Sequence, residues 1–404
     1  MSTTTPPSTT SPSTGLRSRY ARLPQIAGRA YLPVSALGRL PITMVPLAVL
    51  ALVTASSGSV AVGGLASAAA AIGEAVGVPV VGWSADRRGQ RAVLLVVVAL
   101  HLLAVAGLFT ALATSGTPAV LAAAAVVGLT LPSVSGLSRA RWLRMTGDRD
   151  DLATAFAAEG TVDEAAFILG PALVGVVGVL GSPAAALLTS AALTSVFVTA
   201  FACHRSHRHT APVPRDTSRP QARVPWVVAV PVLAMVCMGA TFGATQTGVT
   251  AAAERIGSPS LGSLVYAVSA VGSTATTVCL VLLPARFGLR ARWLVCGLGL
   301  LAGAGLMAAT ATHLGTLTGA VLVTGLFIGP ALVTVNTAAA RLVPAERGAF
   351  LMALLNSGIV LGVAAGASLG GTVAEHAGPA AGFTVVAVAG ALLAVSALAA
   401  PLRR

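Results

Sequence analysis

Gly82-Trp83-Ser84-Ala85-Asp86-Arg87-Arg88-Gly89-Gln90-Arg91 is a short charged stretch set between two long apolar runs, 59–81 and 92–113. Glycines at 82 and 89 permit a tight turn and close helix approach. An aspartate in such a turn can sit at the positive end of a neighbouring helix, and arginines hold a turn at an anionic lipid surface. Each flanking run is close to the roughly 20 residues that carry a helix across hydrocarbon. The stretch therefore reads as a turn between two membrane-spanning helices.

The rest of the chain agrees. Of 404 residues, 55% are apolar and 9% charged, with a mean hydropathy of +0.88. Soluble proteins carry about 25% charged residues, so this composition belongs to an integral membrane protein. All 25 basic residues are arginine. Without lysine the chain has no Walker A loop and no Schiff-base chemistry. Four cysteines at 203, 237, 279 and 296 lie in apolar runs without paired spacing, which supports neither a disulfide framework nor a zinc site.

Twelve apolar runs follow a Ser/Thr/Pro-rich beginning: 37–57, 59–81, 92–113, 118–137, 152–176, 183–201, then 227–249, 261–283, 293–311, 317–338, 350–373 and 380–400. With both termini inside, every arginine except Arg255 falls on the cytoplasmic side, as the positive-inside rule requires. That rule accounts for the net charge of +13 without nucleic acid. The expected plan is all-α: a disordered cytoplasmic tail over 1–30, a six-helix bundle over 31–203, a basic cytoplasmic linker over 204–223 and a second six-helix bundle over 224–404. Such parallel repeats place a substrate path between the halves. His204, His207 and His209 sit among arginines and prolines and read as solvated linker, not as a metal site.

The Gly82–Arg91 stretch resembles the signature G-x-x-x-D-R-x-G-x-R of the major facilitator superfamily (MFS), and span count, loop position and central linker extend the resemblance over the whole chain. The resemblance implies the MFS fold and a gate latch that stabilises the outward-facing state, carried by Gly82, Asp86, Arg87, Gly89 and Arg91. A weaker echo, Arg286-Phe287-Gly288-Leu289-Arg290, has Ala285 where the first copy has Asp86. Gly170-Pro171 and Gly175 look like a reduced form of the antiporters' G-x-x-x-G-P-x-x-G-G pattern, with alanine at 166. The proline bends a helix and the glycines allow close packing. Drug–proton antiporters of the superfamily carry an arginine within span four, whereas 118–137 holds no charge.

Span five contains Glu159, Asp163 and Glu164, and span two contains Glu74. A charged acid at depth costs about 2.5–3.5 kcal/mol on the insertion scale. The first half's apolar runs provide one basic candidate partner at depth, His101, so some of these acids are expected to face a wet cavity or carry a proton. If the fifth helix instead starts near Gly160, they become interfacial first-turn residues. The second half's spans hold no acid; Gln246, Asn336 and Asn356 are candidate substrate contacts or interhelical hydrogen-bond formers. Glycines at 358, 362, 366 and 370 mark one face of span eleven for close contact.

The sequence thus points to secondary active transport by alternating access, with proton-coupled export of small hydrophobic or amphipathic compounds as the leading reading. Uptake of a sugar, organic acid or amino acid, or a sensor role without transport, are the alternatives. The expected partners are a small-molecule substrate, protons and the bilayer, with no cofactor, metal or nucleic acid and a monomeric chain. A lysine-free, Ala/Gly/Val-rich composition fits a GC-rich genome and hence a bacterial inner membrane.

Overall fold

The computed structural model describes residues 16–210, 226–257, 261–280, 287–344 and 347–400. Among these no strand occurs; fifteen α-helices follow in order: α1 Leu16–Ala27, α2 Tyr31–Ser57, α3 Val60–Arg88, α4 Gln90–Thr114, α5 Thr117–Leu129, α6 Val134–Met145, α7 Arg149–Leu180, α8 Pro183–Leu193, α9 Thr199–Cys203, α10 Ala229–Arg255, α11 Gly262–Cys279, α12 Leu289–Thr310, α13 Leu314–Ala340, α14 Gly348–Ala377 and α15 Pro379–Ala399. Pieces α5 and α6 form one crossing, as do α8 and α9 through the π-turn Thr194–Val198. Among the described residues eleven crossings are long and apolar enough to span a bilayer, and Leu264–Cys279 is a shorter apolar helix in the eighth position along the chain.

The Gly82–Arg91 turn is a tight one. Helix α3 ends at Arg88 and α4 begins at Gln90, so Gly89 alone separates them, with φ +84°. That backbone favours glycine because an L side chain there would clash with its own carbonyl. Arg87 stacks over the Trp83 ring at 3.6 Å.

Three boundaries differ from the sequence expectation. Residues 16–27, assigned to a disordered tail running to residue 30, form α1, which buries Leu23 and Ala27 beside Tyr31. Its arginines pair with the start of α7, Arg22 with Asp151 at 3.3 Å and Arg19 with Asp150 at 3.9 Å. The start of the expected linker is also packed: Arg205–Thr210 is a 3₁₀ turn with Ser206 and Thr210 buried. Burial together with Arg141, Arg205 and His207 holds the His204 imidazole below its ordinary pKa. The remainder of that linker, 211–223, lies outside the described residues, as do Ala285 and Arg286 of the second-half echo.

The third difference matters most. Span four does not end at Leu137. Pro132 cannot donate to a helix ladder and disfavours helix at the residue before it, so α5 stops at Leu129 and α6 restarts at Val134 and runs to Met145. Broken helices at membrane depth are tolerated where they line a cavity. Arg139 and Arg141, assigned to a cytoplasmic loop, are thereby drawn into the fourth crossing, and both are buried.

Candidate functional site

Helix α7 starts at Arg149, with Asp148 capping it by accepting from the Asp150 N–H at 3.2 Å. Glu159 therefore lies ~15 Å along the helix, at depth rather than in a first turn, and it is fully buried. Arg39 enters from α2, about 12 Å along from Tyr31, and is equally buried. Its Nη2 pairs with Glu159 Oε2 and donates to Ser35 Oγ at 2.8 Å, and its Nη1 donates to Asp163 Oδ1 at 2.8 Å. Glu159 Oε1 also accepts from Ser138 Oγ at 2.8 Å and from Trp142 Nε1 at 2.7 Å. Arginine and indole N–H groups can only donate, so this setting fits an ionised carboxylate.

Asp163 bridges two guanidinium groups. Its Oδ2 accepts from Arg139 Nη2 at 2.6 Å and from Ser135 Oγ at 3.0 Å. Two acids and two arginines form a charge-balanced cluster, in which removing one member strands another. The expectation that His101 is the one basic partner at depth is overturned: Arg39 and Arg139 hold these acids, while buried His101 faces the Val127 carbonyl at 3.2 Å.

The other two acids are held differently. Glu164 makes no salt bridge among the described residues. It accepts instead from Ser273 Oγ and, at 2.8 Å, from Thr274 Oγ1, both on α11 of the second half. Glu74, on α3, is buried and meets no protein hydrogen-bond partner among the described residues. Hydroxyls, unlike guanidinium groups, both donate and accept, so Glu164 can be accommodated in either protonation state.

Arg39, Arg139, Asp163, Glu164 and Glu74 line one wall of a cavity of about 430 Å³ between the two halves. The remaining lining is largely apolar: Ile42, Pro46 and Phe167 from the first half, Phe242, Tyr266, Ile328 and Ile359 from the second. Phe167 and Phe242 stack across the junction at 5.9 Å between ring centroids. Asn336 and Asn356 reach the cavity; Asn336 donates to its own helix at the Leu332 carbonyl, and Asn356 Nδ2 donates across the halves to Ser133 Oγ at 3.4 Å. Gln246 is not among the residues lining the cavity: it is exposed, about two thirds of the way along α10. Pro171 lines the cavity, and Gly170 presses so closely on Thr43 of α2 that a methyl group there would collide. Gly175 has open space where a side chain would go, so no close helix contact requires glycine there.

At the end of the bundle carrying the Gly82–Arg91 turn, the halves are joined by α14. Asp86 accepts from the backbone N–H groups of Ala349 at 3.1 Å and Phe350 at 2.8 Å, in the first turn of α14. A carboxylate there satisfies amides that have no partner within the helix and complements its dipole. Arg144 of α6 approaches the same carboxylate at 4.0 Å. A Cβ on Gly82 would lie 2.6 Å from Ala353 Cβ and 2.7 Å from the Ala349 carbonyl, so the glycine is what lets α3 and α14 touch.

The family model of the Major Facilitator Superfamily matches residues 32–251 and again 231–404, between them nearly the whole chain. The chain belongs to the Major Facilitator Superfamily. Solved structures agree in fold. The human organic anion transporter TETRAN superposes with a TM-score of 0.70 at 18% identity, covering 91% of this chain and 99% of that one. A bacterial homologue of the iron transporter ferroportin, in an outward-facing state, gives 0.70 at 16% identity, with 92% and 100% covered. The E. coli fucose:proton symporter gives 0.67 at 14%, with 93% and 100% covered. No curated protein sequence matches the chain. As an MFS protein it has the multi-pass architecture of membrane transport, with the cavity at the seam of its two bundles.

Sequence reasoning missed Arg39, Arg139 and Trp142 around the acids, and Ser273 and Thr274 opposite Glu164. Arg39 was detectable: it lies inside the run 37–57, four residues after Ser35 and therefore on the same helix face.

Proposed function

We propose that this MFS protein is a secondary active transporter exporting small hydrophobic or amphipathic compounds in exchange for protons across a bacterial inner membrane, with both termini cytoplasmic. The observation that carries the reading is the division among the acids at depth in the first half, three of which, Asp163, Glu164 and Glu74, line the cavity. Glu159 and Asp163 are committed to arginines, whereas Glu164 and Glu74 are free of salt bridges among the described residues and face the same space as a substrate would. A proton carrier must exist charged and neutral by turns, and a carboxyl without a fixed cation partner can do so at lower cost. Glu164 and Glu74 are therefore the proton sites, and the arginine-held pair builds the wall around them. Because Arg39 and Arg139 are already engaged, the wall offers a visiting compound negative rather than positive charge, which suits amphipathic molecules bearing a cationic group.

Alternating access assigns the contacts of α3, α6 and α14 to the cytoplasmic gate in its closed position. Asp86 and Gly82 are the parts that hold it, with Arg87, Gly89 and Arg91 shaping the turn at the lipid surface.

The test is substrate-driven proton movement in sealed vesicles of known orientation. Glu164→Gln and Glu74→Gln are expected to abolish proton movement while permitting substrate binding. Glu159→Gln and Asp163→Asn are expected to lower the yield of folded protein. Unimpaired coupled transport in both Glu164→Gln and Glu74→Gln would remove the proton assignment. Accumulation with the opposite sign would turn export into uptake, and absence of flux for every compound tried would favour a sensor.

A further inference from the structure

Among the described residues the second half contributes no acid to the cavity, yet it must respond when a proton binds in the first half. Ser273 and Thr274 are placed to register that event. They lie on successive positions of α11, and each hydroxyl donates to a different oxygen of one carboxylate, Glu164, on α7 of the other half. Nothing else on the cavity wall joins an ionisable group of the first half to side chains of the second among the described residues; the Asn356–Ser133 bond joins neutral groups.

The hydroxyls are also fixed to their own half. Gly329 of α13 lies against α11 so closely that a Cβ there would come within 2.7 Å of Ser273 Oγ and 2.8 Å of the Ser273 carbonyl. Similarly, a Cβ on Gly272 would lie 2.5 Å from the Leu322 carbonyl of α13. A change in the pull on Ser273 and Thr274 is thus a pull on α11 and α13 together, because close-packed helices do not yield individually.

We propose that Ser273 and Thr274 are the positioning residues that transmit the protonation state of Glu164 to the second half. This rests on the reading of Glu164 as a proton carrier. With Glu164 ionised, both hydroxyls donate to a charged acceptor and tie the halves together at mid-membrane, alongside the Asp86 contact at one end. With Glu164 protonated, the carboxylic O–H becomes a donor and one hydroxyl must turn to accept. Two charge-assisted bonds become neutral ones, each about half as strong. The tie loosens and the balance moves toward the alternative facing state by roughly tenfold.

The charged groups around Glu164 are Asp163 and Glu159 on its own helix, Arg39 from α2 and Arg139 from α6, and Glu74 from α3 on the same cavity. Helix α11 adds Tyr266, while α8 and α13 carry no ionisable side chain. Titration of any of the others would leave the two hydroxyl bonds in place, so the variants below separate them.

The experiment is a distance measurement between spin labels at Ser115→Cys and Thr312→Cys, exposed positions at the end opposite the Gly82–Arg91 turn, in full-length protein lacking its four native cysteines. Distance distributions are recorded from pH 5 to pH 9 in lipid nanodiscs. The parent protein is expected to shift population with pH, Glu164→Gln to lose that shift, and Ser273→Ala/Thr274→Val to lose most of it. The hydroxyl-keeping exchange Ser273→Thr/Thr274→Ser should restore it, which a merely structural role would not do. If the double variant does not fold, Thr274→Val alone is expected to reduce the shift by roughly threefold. A full parent-like pH response in the hydroxyl-less variants, with Glu164→Gln flat, overturns the transmitting role alone. A full response in Glu164→Gln overturns the proton assignment and this inference with it.

Discussion

The two halves of the molecule share a six-crossing plan and close glycine packing, at Gly73, Gly77 and Gly128 between α3 and α5 in the first, and differ in where they keep their charges. The first places Arg39, Arg139, Glu159, Asp163, Glu164 and Glu74 within its helices and stabilises the first four by pairing, leaving Glu164 and Glu74 outside any salt bridge among the described residues. The second keeps its described charges at helix ends, Glu254 and Arg255 at the close of α10, Arg290 and Arg292 at the opening of α12, Glu375 in the last turn of α14. With no buried ion pair among its described residues, its cohesion rests on packing alone, backbone on backbone at its closest point. Glycines 239 and 243 of α10 and 362, 366 and 370 of α14 bring those helices so near that a methyl group would strike the facing main chain. Packing of small residues drives helix association where lipid removes the hydrophobic incentive. The contrast teaches that the working charges are confined to one half, while the other supplies a rigid, neutral partner that can be moved as a block.

Four substitutions break or sharpen this contrast. Glu159→Ala strands the buried Arg39 guanidinium, with Trp142 and Ser138 losing their acceptor; a loss of about 3–5 kcal/mol is expected, read as a large fall in unfolding midpoint in mixed micelles. Gly366→Val forces a side chain into the α10 main chain and should cost about 1–3 kcal/mol by the same measurement. If it cost more than Glu159→Ala, close packing would outweigh paired charge as a source of stability, and the weight given to the charged cluster would be wrong. Asp86→Asn keeps shape but removes the charge at the first turn of α14. It should weaken that contact by about 1 kcal/mol, seen as increased labelling of cysteines placed along the α3–α14 seam. Gln246→Ala, exposed and outside the cavity lining, should stay within about 0.5 kcal/mol and leave transport unchanged. A clear transport defect there would place it among the substrate contacts.

Much of this was legible in the sequence, and the reasons for the rest are specific. Crossing positions follow from apolar runs whose length the bilayer fixes. The depth of Glu159 follows from counting turns once the helix start is placed. Arg39 was obscured because a charge-sidedness tally absorbs any arginine near the end of an apolar run, whatever it pairs with. Arg139 was hidden by Pro132, which interrupts the fourth crossing, and by Arg141 and Arg144, which depress the local hydropathy just where the helix resumes. No pattern in the chain announces the meeting of Glu164 with Ser273 and Thr274. They are far apart in sequence, and serine and threonine are common in such helices, so only the packing of the two halves brings them together.

The contact of Asp86 with the N–H groups of Ala349 and Phe350 has a genetic corollary. Its acceptor is a side chain, but its donors belong to the main chain, which every amino acid except proline carries. Selection for mutants with a loosened seam should therefore recover changes at Asp86 repeatedly and at positions 349 and 350 rarely, proline excepted. Suppressors of an Asp86 loss should arise elsewhere, where they rebalance the two facing states from a distance. One side of this lock is open to mutation and the other is written into the polypeptide itself.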